Sequence, residues 1–237
     1  MIGLGTIINT AAILIGGLLG GIFGRFLTRS TQDTLTTVCG VSTLFIAVSG
    51  ALEGMLTVEN GQIVSSGAML IIGCLALGGF LGELLKIEDA FENFGGWLKI
   101  KTGNARDPRF VDAFVTASLT VCIGAMAIVG SIQDGIAGDY SILATKAVLD
   151  LIIIMVMTCS LGRGAVFSAI PVAVFQGSIT ALAGLVRPLM TQAALDNLSL
   201  IGNILIFCVG INLVWGKKVK VANLLPAIVI AVAAAFL

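Results

Sequence analysis

Lys146 and Asp150 stand four residues apart in an apolar run, Ser141-Ile-Leu-Ala-Thr-Lys146-Ala-Val-Leu-Asp150. On a helix that spacing puts both on one face, where an ammonium and a carboxylate can pair. At 1.5 Å per residue, Lys146 would lie roughly 6–8 Å into a bilayer and Asp150 roughly 12–14 Å, near the midplane of a core about 30 Å thick. Ionisable groups at that depth mark ion, proton or substrate relays. The alternative is a self-neutralising pair that locks one helix to its neighbour, and a Lys can also snorkel outwards. Burying a pair is rarely a net stabiliser, which favours the functional reading.

Gln176 falls at a similar depth in the next apolar segment, with Pro171 five residues before it and Gly177 directly after. The proline frees a carbonyl one turn back and predicts a kink. A polar side chain beside a broken helix is an arrangement that transporter sites use; a plain kink with Gln176 bonded to a neighbouring helix is the simpler alternative. Asn9, Asn203, Asn212 and Thr158 are further polar groups at depth. Asn203 and Asn212 are about half a turn out of phase, so they do not face one cavity together. Each alone reads as a hydrogen-bonding contact between helices. Asp134 and Glu53 end two apolar segments in matching positions, either as a cation-attracting mouth or as solvated turns.

These residues need a frame, and composition fixes its kind. Of 237 residues, 57% are hydrophobic and only 11% charged, against roughly 25% charged in soluble domains. That excludes a soluble enzyme, a disordered chain and a disulfide scaffold. The net charge is zero, so no basic field attracts nucleic acid. There is no histidine, which removes imidazole metal sites and Ser–His or Cys–His catalysis. The five cysteines lie in apolar runs without a CxxC pair and read as small packing residues. No metal, cofactor or catalytic residue is expected.

Eight apolar segments can cross a bilayer: Ile2–Phe23, Val38–Leu56, Gly67–Leu85, Val111–Ile132, Ser141–Leu161, Ala165–Val186, Leu198–Trp215 and Val221–Leu237. The last is short and carries Pro226, so the count is seven to eight. Nothing positive precedes the first segment, which reads as a retained helix rather than a cleavable signal. Eleven of the 13 Lys and Arg fall in the odd-numbered loops. By the positive-inside bias those loops are cytoplasmic and the N-terminus is outside. The predicted architecture is therefore an all-α polytopic transmembrane bundle, one integral domain over residues 1–237. It holds spans 1–3 within 1–85, a cytoplasmic segment at 86–110 and spans 4–8 within 111–237.

Within Lys86–Phe110, Ile87, Phe91, Phe94 and Leu98 recur on one helical face, opposite Glu88, Asp89, Glu92 and Lys99. Trp97 suits an interfacial depth. The spacing predicts an amphipathic helix lying on the membrane or meeting a partner, with Gly95-Gly96 as a break. Gly16-Gly17-Leu-Leu-Gly20 and Gly78-Gly79-Phe-Leu-Gly82 mark spans 1 and 3. Thr37-Val-Cys39 and Thr120-Val-Cys122 mark spans 2 and 4. Spans 1–2 thus read as a hairpin repeated in spans 3–4. The glycines suit tight helix crossings, within the protomer or between protomers of a homo-oligomer.

Four stretches carry a resemblance: Cys122-Ile-Gly-Ala-Met-Ala-Ile-Val-Gly-Ser-Ile-Gln-Asp-Gly135, Thr145-Lys146 with Leu149-Asp150, Phe167-Ser-Ala-Ile-Pro171 with Gln176-Gly177, and Val221-Ala-Asn-Leu-Leu-Pro226. Over nearly the whole chain the sequence resembles the YqgA/YdfK-type family of uncharacterised bacterial inner-membrane proteins. The resemblance implies a bacterial cytoplasmic membrane and no particular activity. The residues themselves favour a transporter or channel for a small solute or ion, with Lys146, Asp150 and Gln176 on its path. The alternative is a non-transporting scaffold or regulatory partner acting through the 86–110 helix. An intramembrane enzyme is not expected.

Overall fold

Apolar segments in lipid must satisfy their backbone groups internally, so they form helices. The computed structural model describes residues 2–59 and 61–236. Met1, Asn60 and Leu237 (the end of the eighth expected span) lie outside the described residues. In chain order the elements are α1 (Leu4–Phe23), α2 (Arg29–Met55), β1 (Leu56–Glu59), β2 (Gln62–Ser65), α3 (Ala68–Leu85) and α4 (Ile87–Lys101). They continue as α5 (Phe110–Cys122), α6 (Ala125–Ala137), α7 (Ser141–Leu161), α8 (Ala169–Ala181), the single turn α9 (Ala183–Val186), α10 (Gln192–Trp215) and α11 (Pro226–Ala234). The all-α membrane-spanning architecture is the one expected, with one small antiparallel hairpin, β1–β2, between α2 and α3.

Six runs are long and apolar enough to cross a membrane: α1, α2, α3, α7, α10 and Arg163–Ala181, which is a 3-10 segment leading into α8. The bent pair α5–α6 makes a seventh, and Val221–Ala234 is a shorter apolar helix. The fourth expected span, Val111–Ile132, is not continuous. It breaks between α5 and α6 and bends by 62°. Gly124 permits the break: its φ of +152° is open to glycine and strained for other residues. Pro171, expected to kink a helix, instead sits in the first turn of α8, where its missing N–H is not needed. The irregular stretch is the 3-10 segment Arg163–Ser168 just before it.

The helices pack into two compact units, each assembled from distant parts of the chain: Met1–Cys39 with Ala90–Arg187, and Gly40–Asp89 with Pro188–Leu237. In the first, α1 lies along α7. A Cβ on Gly16 would meet the Leu151 carbonyl oxygen, one on Gly20 the Met155 carbonyl oxygen, and Gly24 abuts Cys159. Both sequences ascend together, so α1 and α7 run parallel. Thr6 meets Thr180 and Asn9 meets Gln176, so α8 runs antiparallel to α1. In the second unit, Gly78 packs on Ala227 and Gly82 on Asn223, which sets α3 antiparallel to α11. Gly40 packs on Leu213 and Gly54 on Leu200, which sets α2 antiparallel to α10. These directions are those of a chain that reverses at every span. The glycine stripes thus serve crossings inside each unit, where closeness gives dispersion contacts that lipid cannot match.

The two units share a plan. In each, a long helix ends at a glycine (Gly162 or Gly216), a 3-10 segment with at least one basic residue in or before it follows, and an apolar helix carrying a proline near its start comes next.

α4 forms as the hydrophobic spacing predicts, and Gly95-Gly96 does not break it. Gly95 is buried because the Phe114 ring packs where its side chain would be. Leu98 points inward, and Phe94 stacks on Trp97 with ring centroids 5.8 Å apart. Trp97 and Ile100 stay exposed as an apolar strip.

Candidate functional site

The first unit encloses a polar cluster at the centre of its packed helices. α7 presents Lys146 and Asp150 one turn apart, and the Lys146 Nζ donates to both carboxylate oxygens at 2.7 and 2.6 Å. The side chains are 7% and 3% exposed as residues, so the pair is closed to bulk water. α1 brings Asn9 to the same place because its glycines allow α7 so close. Asn9 Nδ2 donates to Asp150 Oδ2 at 3.0 Å and to Gln176 Oε1, carried by α8, at 3.3 Å. Asn9 and Gln176 are both fully buried. Four of the expected residues are thus one connected network: Lys146, Asp150, Asn9 and Gln176. Asn9 is the link between the other helices rather than a separate helix contact.

The network is incomplete. Asn9 Oδ1 and Gln176 Nε2 are buried with no hydrogen-bond partner among the described residues. The direction of the Asn9 amide is fixed, because turning it over would set an oxygen against the Asp150 carboxylate. The set therefore leaves one acceptor and one donor open, a combination that a water or a small polar solute satisfies. Buried polar groups are otherwise almost always paired, and leaving one unmade costs about 1–3 kcal/mol. The bent α5–α6 pair packs on the same helix as the ion pair, with Gly130 of α6 against Ile142 and Leu143 of α7. Thr6 and Thr180, 3.5 Å apart, extend the polar line one turn from Asn9 and Gln176.

Asp134 lies beyond the threonines, and neither expectation for it holds. It is fully buried, so it is not a solvated turn, and it faces backbone rather than an open mouth. Its two oxygens accept the N–H groups of Gly3 (3.2 Å) and Gly5 (3.0 Å). α1 begins at Gly3, which has no side chain to cap the helix, so α6 supplies the carboxylate from elsewhere in the chain. Glu53, expected to match it, is exposed. Asn203 belongs to the second unit, where its amide donates to the Ser199 carbonyl oxygen on its own helix at 2.8 Å. It takes no part in the cluster. Asn212 clamps the turn after α10, donating to the Val219 carbonyl and accepting from Lys218 and Val219 N–H.

The second unit has a polar centre that the sequence did not announce. Glu88, nearly buried at the start of α4, accepts the Ala222 N–H (2.9 Å) and the Lys217 ammonium (2.8 Å). Asn223 accepts the Glu88 N–H at 2.7 Å and donates to Glu83 at 2.6 Å, and Glu83 also holds Lys220 at 3.0 Å. The Glu83 hydrogen bond holds the Lys220 ammonium above its ordinary range. The signal that could have found this centre is Asn223 within Val221-Ala-Asn-Leu-Leu-Pro226. All its polar atoms serve backbone or charge partners, so it fixes a turn. Among the described residues, no three His, Cys, Asp or Glu side chains converge to hold a metal ion.

Comparison with known proteins finds relatives along nearly the whole chain. The chain is 29% identical over 226 residues to the "Uncharacterized membrane protein YdfK" of Bacillus subtilis (strain 168), covering 95% of this chain and 93% of that one. It is 26% identical over 232 residues to the "Uncharacterized protein YqgA" of Escherichia coli (strain K12), covering 96% and 94%. No solved structure matches. The family described as "Protein of unknown function (DUF554)" matches residues 4–236, and this membrane protein belongs to it.

Proposed function

We propose that the protein conducts or transports a small solute or ion across the bacterial cytoplasmic membrane, with Lys146, Asp150, Asn9 and Gln176 as its central site. One observation carries the reading: a buried ion pair joined to two buried amides that leave a donor and an acceptor unmade. A purely structural lock would be cheaper as packed apolar residues. The interrupted α5–α6 span beside the pair supports the same reading, because non-helical backbone at membrane depth is tolerated where it is buried in protein or lines a cavity. In this reading, protonation of Asp150 or arrival of a cation frees the Lys146 ammonium, and Gln176 and Asn9 orient the solute that replaces it. The shared plan of the two units supports an internal duplication. The Lys/Arg bias supports an outside N-terminus and a cytoplasmic α4. The reading is of a conductor rather than a catalyst, since the cluster offers one carboxylate and no activated nucleophile.

The exposed strip Trp97–Ile100 favours the second reading, a regulatory surface, only if α4 meets a protein; lying in the headgroup layer accounts for it as well.

The test is charge movement by the protein reconstituted in vesicles, evoked by concentration jumps of small inorganic and organic ions. Asp150→Asn and Gln176→Leu are expected to abolish the wild-type signal at equal protein abundance. A signal retained in full by Asp150→Asn would overturn the proposal.

A further inference from the structure

A cleft of about 740 Å³ opens at the other end of the first unit, where α1 and α7 finish. Five arginines line it: Arg25, Arg29, Arg106, Arg109 and Arg163, against the single carboxylate of Asp107. A positive bias on one side of a membrane protein accounts for arginines in loops. It does not account for their convergence on one recess from three separate stretches of chain. Nor are they spent on helix ends. Among the described residues Arg109 alone of the five reaches a helix carbonyl, that of Ser160 at 3.4 Å, and it also bonds Gln32 and lies 3.9 Å from Asp33. The other four take no carboxylate partner among the described residues.

A second observation is independent of the charge. Thr158, on the cleft wall, is 4% exposed, and its hydroxyl has no hydrogen-bond partner among the described residues. Other helical threonines donate to the carbonyl one turn back, as Thr120 does to Thr116 and Thr145 to Ser141. Thr158 does not, although it lines the cleft beside Gly20, which packs directly against it. A recess with convergent guanidinium forks and an unfilled hydroxyl fits an oxyanion. Arg pairs bidentately with phosphate and carboxylate, and the desolvated hydroxyl completes the shell.

We propose that this cleft binds the phosphate group of an anionic ligand, with Arg25 and Arg163 as principal forks and Thr158 beneath them. The inference does not rest on transport. The same chemistry comes from two sources, a soluble phosphate-bearing solute or the headgroup of an anionic lipid, and the test separates them. Titrating the full-length protein in neutral detergent with inorganic phosphate is one arm. Measuring lipid retention by native mass spectrometry after incubation with phosphatidylcholine vesicles, with or without phosphatidylglycerol, is the other.

The wild type is expected to bind one probe saturably, more weakly as ionic strength rises. Arg25→Gln/Arg163→Gln should weaken that binding on the order of a hundredfold, about tenfold per arginine, while Arg187→Gln, outside the cleft, leaves it unchanged. Thr158→Val, close in shape and uncharged, should weaken it roughly three- to tenfold through the lost hydrogen bond. Phosphate binding with this pattern assigns a soluble ligand, and phosphatidylglycerol retention with this pattern assigns a headgroup. A wild type that binds neither probe overturns the proposal whatever the variants do. So does binding that is untouched by both the arginine pair and Thr158→Val.

Discussion

Removing one partner of the buried pair should cost far more than removing both. Lys146→Met takes an ammonium away from two carboxylate oxygens at 2.6 and 2.7 Å. Asp150, only 3% exposed, is then left with the Asn9 amide as its remaining donor. Stripping one partner from a buried pair costs about 3–5 kcal/mol, because an uncompensated charge stays behind. For a chain of this length that corresponds to a fall of roughly 6–20 °C in the unfolding midpoint. Asp150→Leu strands the ammonium and should cost a similar amount. The double variant Lys146→Met/Asp150→Leu removes both charges and keeps the space filled with apolar atoms. It should return to within about 1 kcal/mol of the wild type, or exceed it. The cycle is read from thermal unfolding in neutral detergent, with the four proteins side by side. Single variants as stable as the wild type would refute the reasoning, because the pair would then be solvated. The cycle also separates structure from function: a double variant that is stable yet silent in the vesicle assay makes the charges functional.

Other consequences follow from the packing. Gly16→Val pushes a side chain into the Leu151 carbonyl and should destabilise by about 1–3 kcal/mol or more, whereas Gly21→Ala, with open space around it, should melt like the wild type. Asp134→Ala strips the acceptors from the Gly3 and Gly5 amides and should cost about 1–3 kcal/mol, with faster hydrogen exchange at the start of α1 as the local readout. Asp139 accepts from the Ser141 hydroxyl and N–H at the start of α7, which holds its carboxyl below the usual range. Its contribution is therefore present at neutral pH and fades only as pH falls through that lowered value. The melting difference between wild type and Asp139→Asn should persist at pH 5 and shrink in stronger acid.

The sequence carried the membrane frame because apolar length and glycine spacing are local properties. Lys146 and Asp150 were legible together because helical spacing alone puts them on one face. Asn9 was not legible as their partner. That requires knowing that α1 lies parallel to α7, a choice made by close packing between residues about 135 apart. The role of Asp134 was illegible for the same reason, since its partners are backbone amides at the far end of the chain and leave no trace in its neighbourhood. The break at Gly124 carries no proline, so an apolar run reads straight through it. Glu88 looked like the polar side of an amphipathic helix, yet the turn after α10 folds over it. Local periodicity says which face is polar and not what will cover it.

Water access to the polar cluster tests the central claim most directly. With the five native cysteines replaced, Asp150→Cys and Gln176→Cys are introduced separately, the second leaving the ion pair intact. Lys101→Cys, exposed at the end of α4, serves as the reactive control. Each protein is treated with a membrane-impermeant thiol reagent in intact cells and in inverted vesicles. The cluster is closed in this conformation, but a conductor must open it in passing a solute, so the account predicts labelling at both cluster positions from at least one side. Protection at both positions from both sides, in folded protein whose Lys101→Cys control reacts, would contradict it and make the cluster a sealed structural lock.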